Sequence, residues 1–149
     1  NLGFIFQTYN LLENLNVLEN VKVGSKLSKN KNDVDEIIKT VGLSKHKKKA
    51  IYELSGGEQQ RVSIARAIAK NPKVMFCDEP TGALDEKTGK KVLKSLIEIN
   101  EKYKTTMIII THNPGIALIG DRVLKMNSGH IVKKEKNETR VDPMEIPWG

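Results

Sequence analysis

Two unbroken apolar runs, Val74-Met75-Phe76-Cys77 and Met107-Ile108-Ile109-Ile110, limit what this chain can fold into more than any other feature. A strand with one wet face alternates apolar and polar residues. A run without alternation reads as a strand covered on both faces, the habit of parallel sheets. Between the two runs, Glu86 to Lys102 carries Val92, Leu93, Leu96 and Ile97 at helical spacing. A helix joining two such strands is a parallel crossover, almost always right-handed. Gly3-Phe4-Ile5-Phe6 reads as a further short strand, ending at Gln7. The expected class is α/β, a parallel sheet with flanking helices.

Glu58 to Lys70 predicts a helix with Val62, Ala65, Ile68 and Ala69 on one face, stopped by Asn71-Pro72. Upstream, Leu11, Leu12, Leu15, Leu18 and Val21 have a helical or turn-rich spacing. Lys22 to Asn32 is polar and predicts a loop. Asp33 to Val41 predicts a short helix closed by Gly42. Residues 11–54 therefore form a small, mostly helical subdomain, distinct in pattern from 55–149. Arg122–Met126 and Ile131–Lys133 predict a hairpin turning at Asn127-Ser128-Gly129. The charged tail from Lys134 is expected to be loosely held.

A chain of 149 residues suits one domain. No apolar run approaches the ~20 residues of a membrane-spanning helix, and no basic-then-apolar leader opens the chain. The single cysteine, Cys77, rules out an internal disulfide, fits a reducing compartment and sits in a run that packs a core. The net charge of +7 could draw nucleic acid or an anionic membrane, or could be a lysine-rich solvated surface. The cluster Lys45-His46-Lys47-Lys48-Lys49 has no interleaved aromatics for base stacking, which favours the solvated surface. Neither His46 nor His130 has a metal-ligand neighbour at useful spacing.

Both central runs end in reactive groups, Asp78-Glu79 and Thr111-His112. Open parallel sheets bind ligands outside the carboxyl ends of their strands. Neighbouring side chains in a strand diverge, so Asp78 and Glu79 can face different partners, one a metal and the other a water. An acidic strand end before a Pro80 turn is the bland alternative; His112 on the same rim favours chemistry. A second cluster runs from Leu54 to Arg61. Ser55 and Glu58 form an S-x-x-E capping box, which starts a helix without any ligand. Gly56 and Gly57 inside that box leave backbone N–H groups open at the positive end of a helix, an anion site for which phosphate is the natural guest.

These residues carry a resemblance. LSGGEQQR (Leu54 to Arg61) resembles the signature motif of ATP-binding-cassette (ABC) ATPases. VMFCDE (Val74 to Glu79) resembles their Walker B strand, ALD (Ala83 to Asp85) their D-loop, His112 their switch histidine and Gln7 their Q-loop glutamine. Order and spacing agree over nearly the whole chain. The resemblance implies a P-loop NTPase-like sheet with a helical subdomain, divided as a Q-loop strand (1–10), the helical subdomain (11–54) and a part bearing signature, Walker B, D-loop, His112 and hairpin (55–149). It implies ATP and Mg²⁺ as ligands. Asp78 would hold Mg²⁺ and Gln7 would reach toward it. Glu79 would be the general base, and His112 would contact the γ-phosphate. Ser55, Gly56, Gly57 and Glu58 would serve ATP held by a second ATPase subunit in a head-to-tail dimer, and Asp85 would tie the halves together. The implied protein is a transporter ATPase, cytoplasmic and peripheral on the inner face of the cell membrane. Its helical lobe docks on a transmembrane permease subunit that chooses the substrate, and no nucleic acid is expected. Gly3 to Val21 with Asp78 to Gly89 resembles the branch serving lipoprotein release, macrolide efflux and antimicrobial-peptide export.

One family element is not found. No G-x-x-x-x-G-K-[ST] occurs; Gly24-Ser25-Lys26 and Gly42-Leu43-Ser44-Lys45 do not fit it. In the family the P-loop precedes the Q-loop glutamine, so the expectation is an N-terminally truncated domain without Walker A. Two other readings stand beside the transporter subunit: a soluble nucleic-acid motor or translation factor built on the same cassette, and a non-catalytic remnant that binds only a partner. Without the P-loop lysine and backbone cradle most phosphate binding is lost. The 149-residue chain alone is therefore expected neither to bind ATP tightly nor to hydrolyse it, and micromolar ATP affinity by calorimetry would overturn this.

Overall fold

β2 (Val74–Asp78) is the middle strand of a three-stranded parallel sheet, with β1 (Leu2–Ile5) on one side and β3 (Thr106–Ile110) on the other. The register sets Ile5 beside Cys77 and Asp78 beside Ile110. The computed structural model describes residues 2–6, 9–26, 28–29 and 32–149. The β1-to-β2 connection carries α1 (Val17–Lys26), α2 (Val34–Thr40) and α3 (Gly56–Ala69); α4 (Glu86–Tyr103) joins β2 to β3. β4 (Arg122–Asn127) and β5 (His130–Lys136) form a separate antiparallel hairpin. Its turn residues, Ser128 and Gly129, both have positive φ (48° and 80°), the backbone a tight two-residue hairpin turn requires.

Each long helix begins at a side-chain cap. Asn16 and Glu19 bond each other's backbone N–H ahead of α1 (2.8 and 3.0 Å), and Asp85 accepts from Thr88 N–H ahead of α4 (3.1 Å). α4 ends at Lys104 in the left-handed region (φ 56°), whose N–H returns to Asn100. α1 extends as far as Lys26, into the first part of the stretch, Lys22 to Asn32, whose polarity predicts a loop. The reason is that Gly24 faces α3, where a Cβ would collide with the Arg66 carbonyl, and that Ser25 is buried with its hydroxyl donating to Lys22 O one turn back. Gly24 permits close helix contact rather than a turn.

Ile5, Met75 and Cys77 lie in one apolar cluster with Ile64 and Ile68 of α3 and Leu93 and Leu96 of α4. The Cys77 thiol is fully buried, and desolvation pushes its pKa up to about 12. The other sheet face corrects the expectation of strands covered on both sides. Val74 and Phe76 are half-buried, Phe4 is 52% exposed and Ile110 51%. Phe4 stacks on Phe76 at 5.5 Å and on Phe6 at 6.0 Å. The three strands follow chain order, so right-handed crossovers pass both connections over the same face.

The tail also differs from expectation. β5 continues to Lys136, Ile146 is 1% exposed, and Arg140 donates to Asn100 Oδ1 (2.9 Å) and Glu101 Oε1 (3.1 Å). One charge of this segment, Arg140, is used in hydrogen bonds to α4, and Ile146 is buried, which is why polarity alone misreads it.

A contiguous aromatic and aliphatic face drives association. The 149-residue chain is expected to self-associate through Phe4, Phe76 and Ile108. Replacing Phe4 and Ile108 by Thr should lower its weight-average mass in sedimentation; a monomeric parent chain would contradict this.

Candidate functional site

The carboxyl ends of β2 and β3 carry the first set of candidate residues. Asp78 ends β2 and is exposed. Glu79 follows with φ 46°, left-handed backbone that costs a non-glycine residue about 1–2 kcal/mol. This turn sends the Glu79 N–H to Ile110 O (2.8 Å) and brings its carboxylate to the chain that follows β3. There Glu79 Oε1 accepts the His112 N–H at 2.8 Å, and His112 Nε2 lies 3.6 Å from the same oxygen. The Glu79 side chain is 21% exposed and the His112 ring 99%. The two strand ends therefore bring Glu79 and His112 together, next to the exposed Asp78 that ends β2. Asn113 N–H donates to Thr111 Oγ1 (3.0 Å), and Asn113 Oδ1 accepts from Gly115 N–H (3.0 Å), which fixes the chain just after His112.

The second set opens α3. Ser55 Oγ accepts from Glu58 N–H (3.2 Å) and Glu58 Oε1 from Ser55 N–H (3.0 Å), the reciprocal box read from the sequence. The other Glu58 oxygen is 3.2 Å from His46 Nε2, so both oxygens are engaged within the chain. The Ser55 N–H holds the Glu58 carboxyl below its ordinary pKa, against a smaller opposing effect of burial. Ser55 and Gly56 are exposed, whereas Gly57 is buried. A Cβ on Gly57 would collide with Thr88 Cγ2, so this glycine also serves helix contact. The first helical turn leaves the Gly56 and Gly57 N–H groups without intrahelical acceptors.

Asp85 is exposed and caps α4. Its hydrogen bonds with Thr88 hold its carboxyl below the usual range. Gln7 lies outside the described residues. Among the described residues no group of three or more His, Cys, Asp or Glu side chains could hold a metal by itself.

Two anchoring residues escape the motif reading. Gln60 is fully buried and its Nε2 donates to Pro80 O (2.9 Å) and Phe6 O (3.2 Å), joining the ends of β2 and β1 to α3. Its signal was present: Gln60, Ile64 and Ile68 fall at i, i+4 and i+8 on the buried stripe, where a polar side chain needs a partner. Arg66 NH1 donates to Asn10 O (2.9 Å), holding the segment after β1 on the same helix; nothing in its sequence context marks it.

The family model described as ABC transporter matches residues 1–82, more than half of the chain. The chain belongs to the ABC transporter family. It is 48% identical over 150 residues to a Mycoplasma pneumoniae protein named as an ABC transporter ATP-binding protein, the MG065 homolog, with 99% of the chain aligned. It is 40% identical to the macrolide export ATP-binding/permease protein MacB of Bradyrhizobium diazoefficiens (93% of the chain) and 45% to the methionine import ATP-binding protein MetN 1 of Pseudomonas putida (89%). The chain spans 32%, 22% and 42% of these relatives' own lengths. Among solved structures, the ATP-binding cassette MJ0796, a dimer in a post-hydrolysis state bound to ADP and Pi, matches 91% of the chain and 62% of its own at 35% identity and a TM-score of 0.73. The parallel α/β arrangement of the ABC transporter chain is that of the cassette.

Because the folded Glu58 pKa lies below its unfolded value, the unfolded chain takes up the proton first. The stability Glu58 contributes is present above the ordinary glutamate range and is lost as pH falls through the folded pKa. Glu58→Ala is expected to cost about 0.5–1.5 kcal/mol near neutrality, the usual net worth of one intramolecular hydrogen bond, here the one Glu58 accepts from Ser55 N–H. It should also weaken the loss of stability on acidification to about pH 4, near the unperturbed glutamate pKa. Urea melts at the two pH values measure both effects.

Proposed function

We propose that this ABC transporter chain supplies the hydrolytic rim and the signature helix of an ATPase subunit that powers a membrane transporter. The observation that carries the reading is the Glu79–His112 pair at the ends of adjacent parallel strands. Its support from outside the chain is the likeness to a cassette bound to ADP and Pi.

The residues fit ATP with Mg²⁺ as far as their chemistry goes. Asp78 offers an exposed hard oxygen ligand, and Mg²⁺ is commonly held by one or two carboxylates together with phosphate oxygens. The ion, when bound, neutralises charge on the phosphates. One Glu79 oxygen is oriented by the His112 N–H, which leaves the other to accept a proton from an attacking water. The exposed His112 ring would contact a terminal phosphate. Gln7 would reach toward the same ion. On the signature side, Ser55 and the N–H groups of Gly56 and Gly57 would bind the γ-phosphate of ATP held by a second subunit. Glu58 would act there through the cap it holds, and Asp85 would join the two subunits. The P-loop would come from a βα unit that this sequence does not contain.

The partners proposed are a second ATPase subunit, head to tail, and a transmembrane permease docked on the helical lobe of residues 11–54, which places the subunit at the cytoplasmic membrane face. Gly3 to Val21 and Asp78 to Gly89 support the exporter branch, as does the likeness to MacB. MetN 1, an import protein, is as similar, so direction rests on those two stretches alone.

In the polypeptide that joins this chain to a P-loop, Glu79→Gln is expected to lower ATP turnover by ~10²–10⁴, the usual worth of a general base. That corresponds to roughly 2.7–5.4 kcal/mol of barrier. An unchanged turnover number would remove Glu79 from the role.

A further inference from the structure

The C-terminal segment joins elements that the sequence keeps far apart. Trp148 lies on Gly89 in the first turns of α4: a Cβ there would come within 2.8 Å of Trp148 Cζ2. The neighbouring Pro147 carbonyl lies against Gly115, where a Cβ would collide with it. Further back, Asn137 Nδ2 donates to Ala117 O (2.8 Å) and Gly120 O (2.7 Å), and Val141 N–H donates to Leu118 O (3.0 Å). Ile146 is buried between these anchors. The segment thus holds residues 113–120, which continue directly from His112, against the helix that begins at the Asp85 cap. On that helix Thr88 precedes Gly89 and meets Gly57 of α3. A continuous line of contacts therefore runs from the signature turn through Thr88–Gly89, Trp148–Pro147 and Gly115 to His112 and Glu79.

We propose that residues 137–148 form a brace and that Trp148 is a positioning residue. By seating in the Gly89 notch it fixes the chain after His112, and so the Glu79–His112 geometry, relative to the signature helix. This rests on the function proposed above. Trp148 touches no reacting atom; its effect passes through Gly115 and the 113–120 turn. A displacement of about 1 Å in a catalytic group can cost on the order of a hundredfold in rate, so a brace at this place has leverage.

The test uses the natural ATPase that contains this chain together with a P-loop. Trp148→Ala is expected to lower kcat by about tenfold to a hundredfold while KM for ATP stays unchanged, the mark of lost transition-state positioning. Trp148→Phe, which keeps an aromatic face over Gly89, should restore most of the turnover. Gly89→Ala keeps the indole but fills its seat. Trp148 is the single tryptophan of this chain. Its emission, isolated by replacing any tryptophan elsewhere in the protein, should shift to the red in Gly89→Ala, with the same fall in kcat. A red shift with wild-type kcat overturns the proposal, as does a rise in KM at constant kcat. Amide exchange is measured on the same variants. Faster exchange confined to residues 111–120 and 137–148 is expected, whereas faster exchange throughout the core marks a merely structural role and also overturns it. If the parent protein fails to hydrolyse ATP, the functional reading falls separately, and the exchange pattern alone then decides whether the brace exists.

Discussion

Both parallel ladders of the sheet run through β2. Its two edges are occupied by β1 and β3, so the ends of all three strands are placed by one five-residue segment. Where β2 stops, the left-handed Glu79 turns the chain and hands its N–H to Ile110 on β3. The site therefore depends on a register. A slip of one residue between β2 and β3 would exchange the two sheet faces and separate Glu79 from His112.

α3 secures the same end from the other direction. Gln60 ties Phe6 and Pro80 to the helix, while Arg66 holds Asn10. The signature turn at the start of α3 and the strand ends under its inward face are thereby parts of one rigid arrangement. A helix that must meet α1, α4 and the sheet at once needs close approaches, and Gly24 and Gly57 provide them. Gly57 is read from the sequence as a phosphate-facing residue; in the structure it is also the place where α4 enters through Thr88.

Much of this was legible in the sequence. The apolar runs gave three parallel strands, helical spacing gave α3 and α4, and S-x-x-E gave the cap at Ser55, because each is a local pattern with one physical solution. Long-range contacts were less legible. Lys22 to Lys26 looks like a loop until α3 is there to receive Gly24. The tail looks solvated until Asn100 and Glu101 are there to accept from Arg140. The left-handed turn at Glu79 has no sequence signal, since Asn, Asp or Gly is the usual choice for that backbone. The bare sheet face was also hidden, because an apolar run says that a strand is fit to be covered, not which side will be.

Cys77 lies at the centre of the middle strand, with its thiol pushed to about 12 and no exposed surface. Burial holds such a thiol in its neutral form at ordinary pH, and the thiolate is the reactive form. The residue is therefore silent while the sheet is closed. Alkylation of Cys77 requires β2 to part from its cover, so the labelling rate of this one sulfur is a clock for the opening of the sheet. A thiol introduced anywhere on the surface would report on its own surroundings without a background from the native residue.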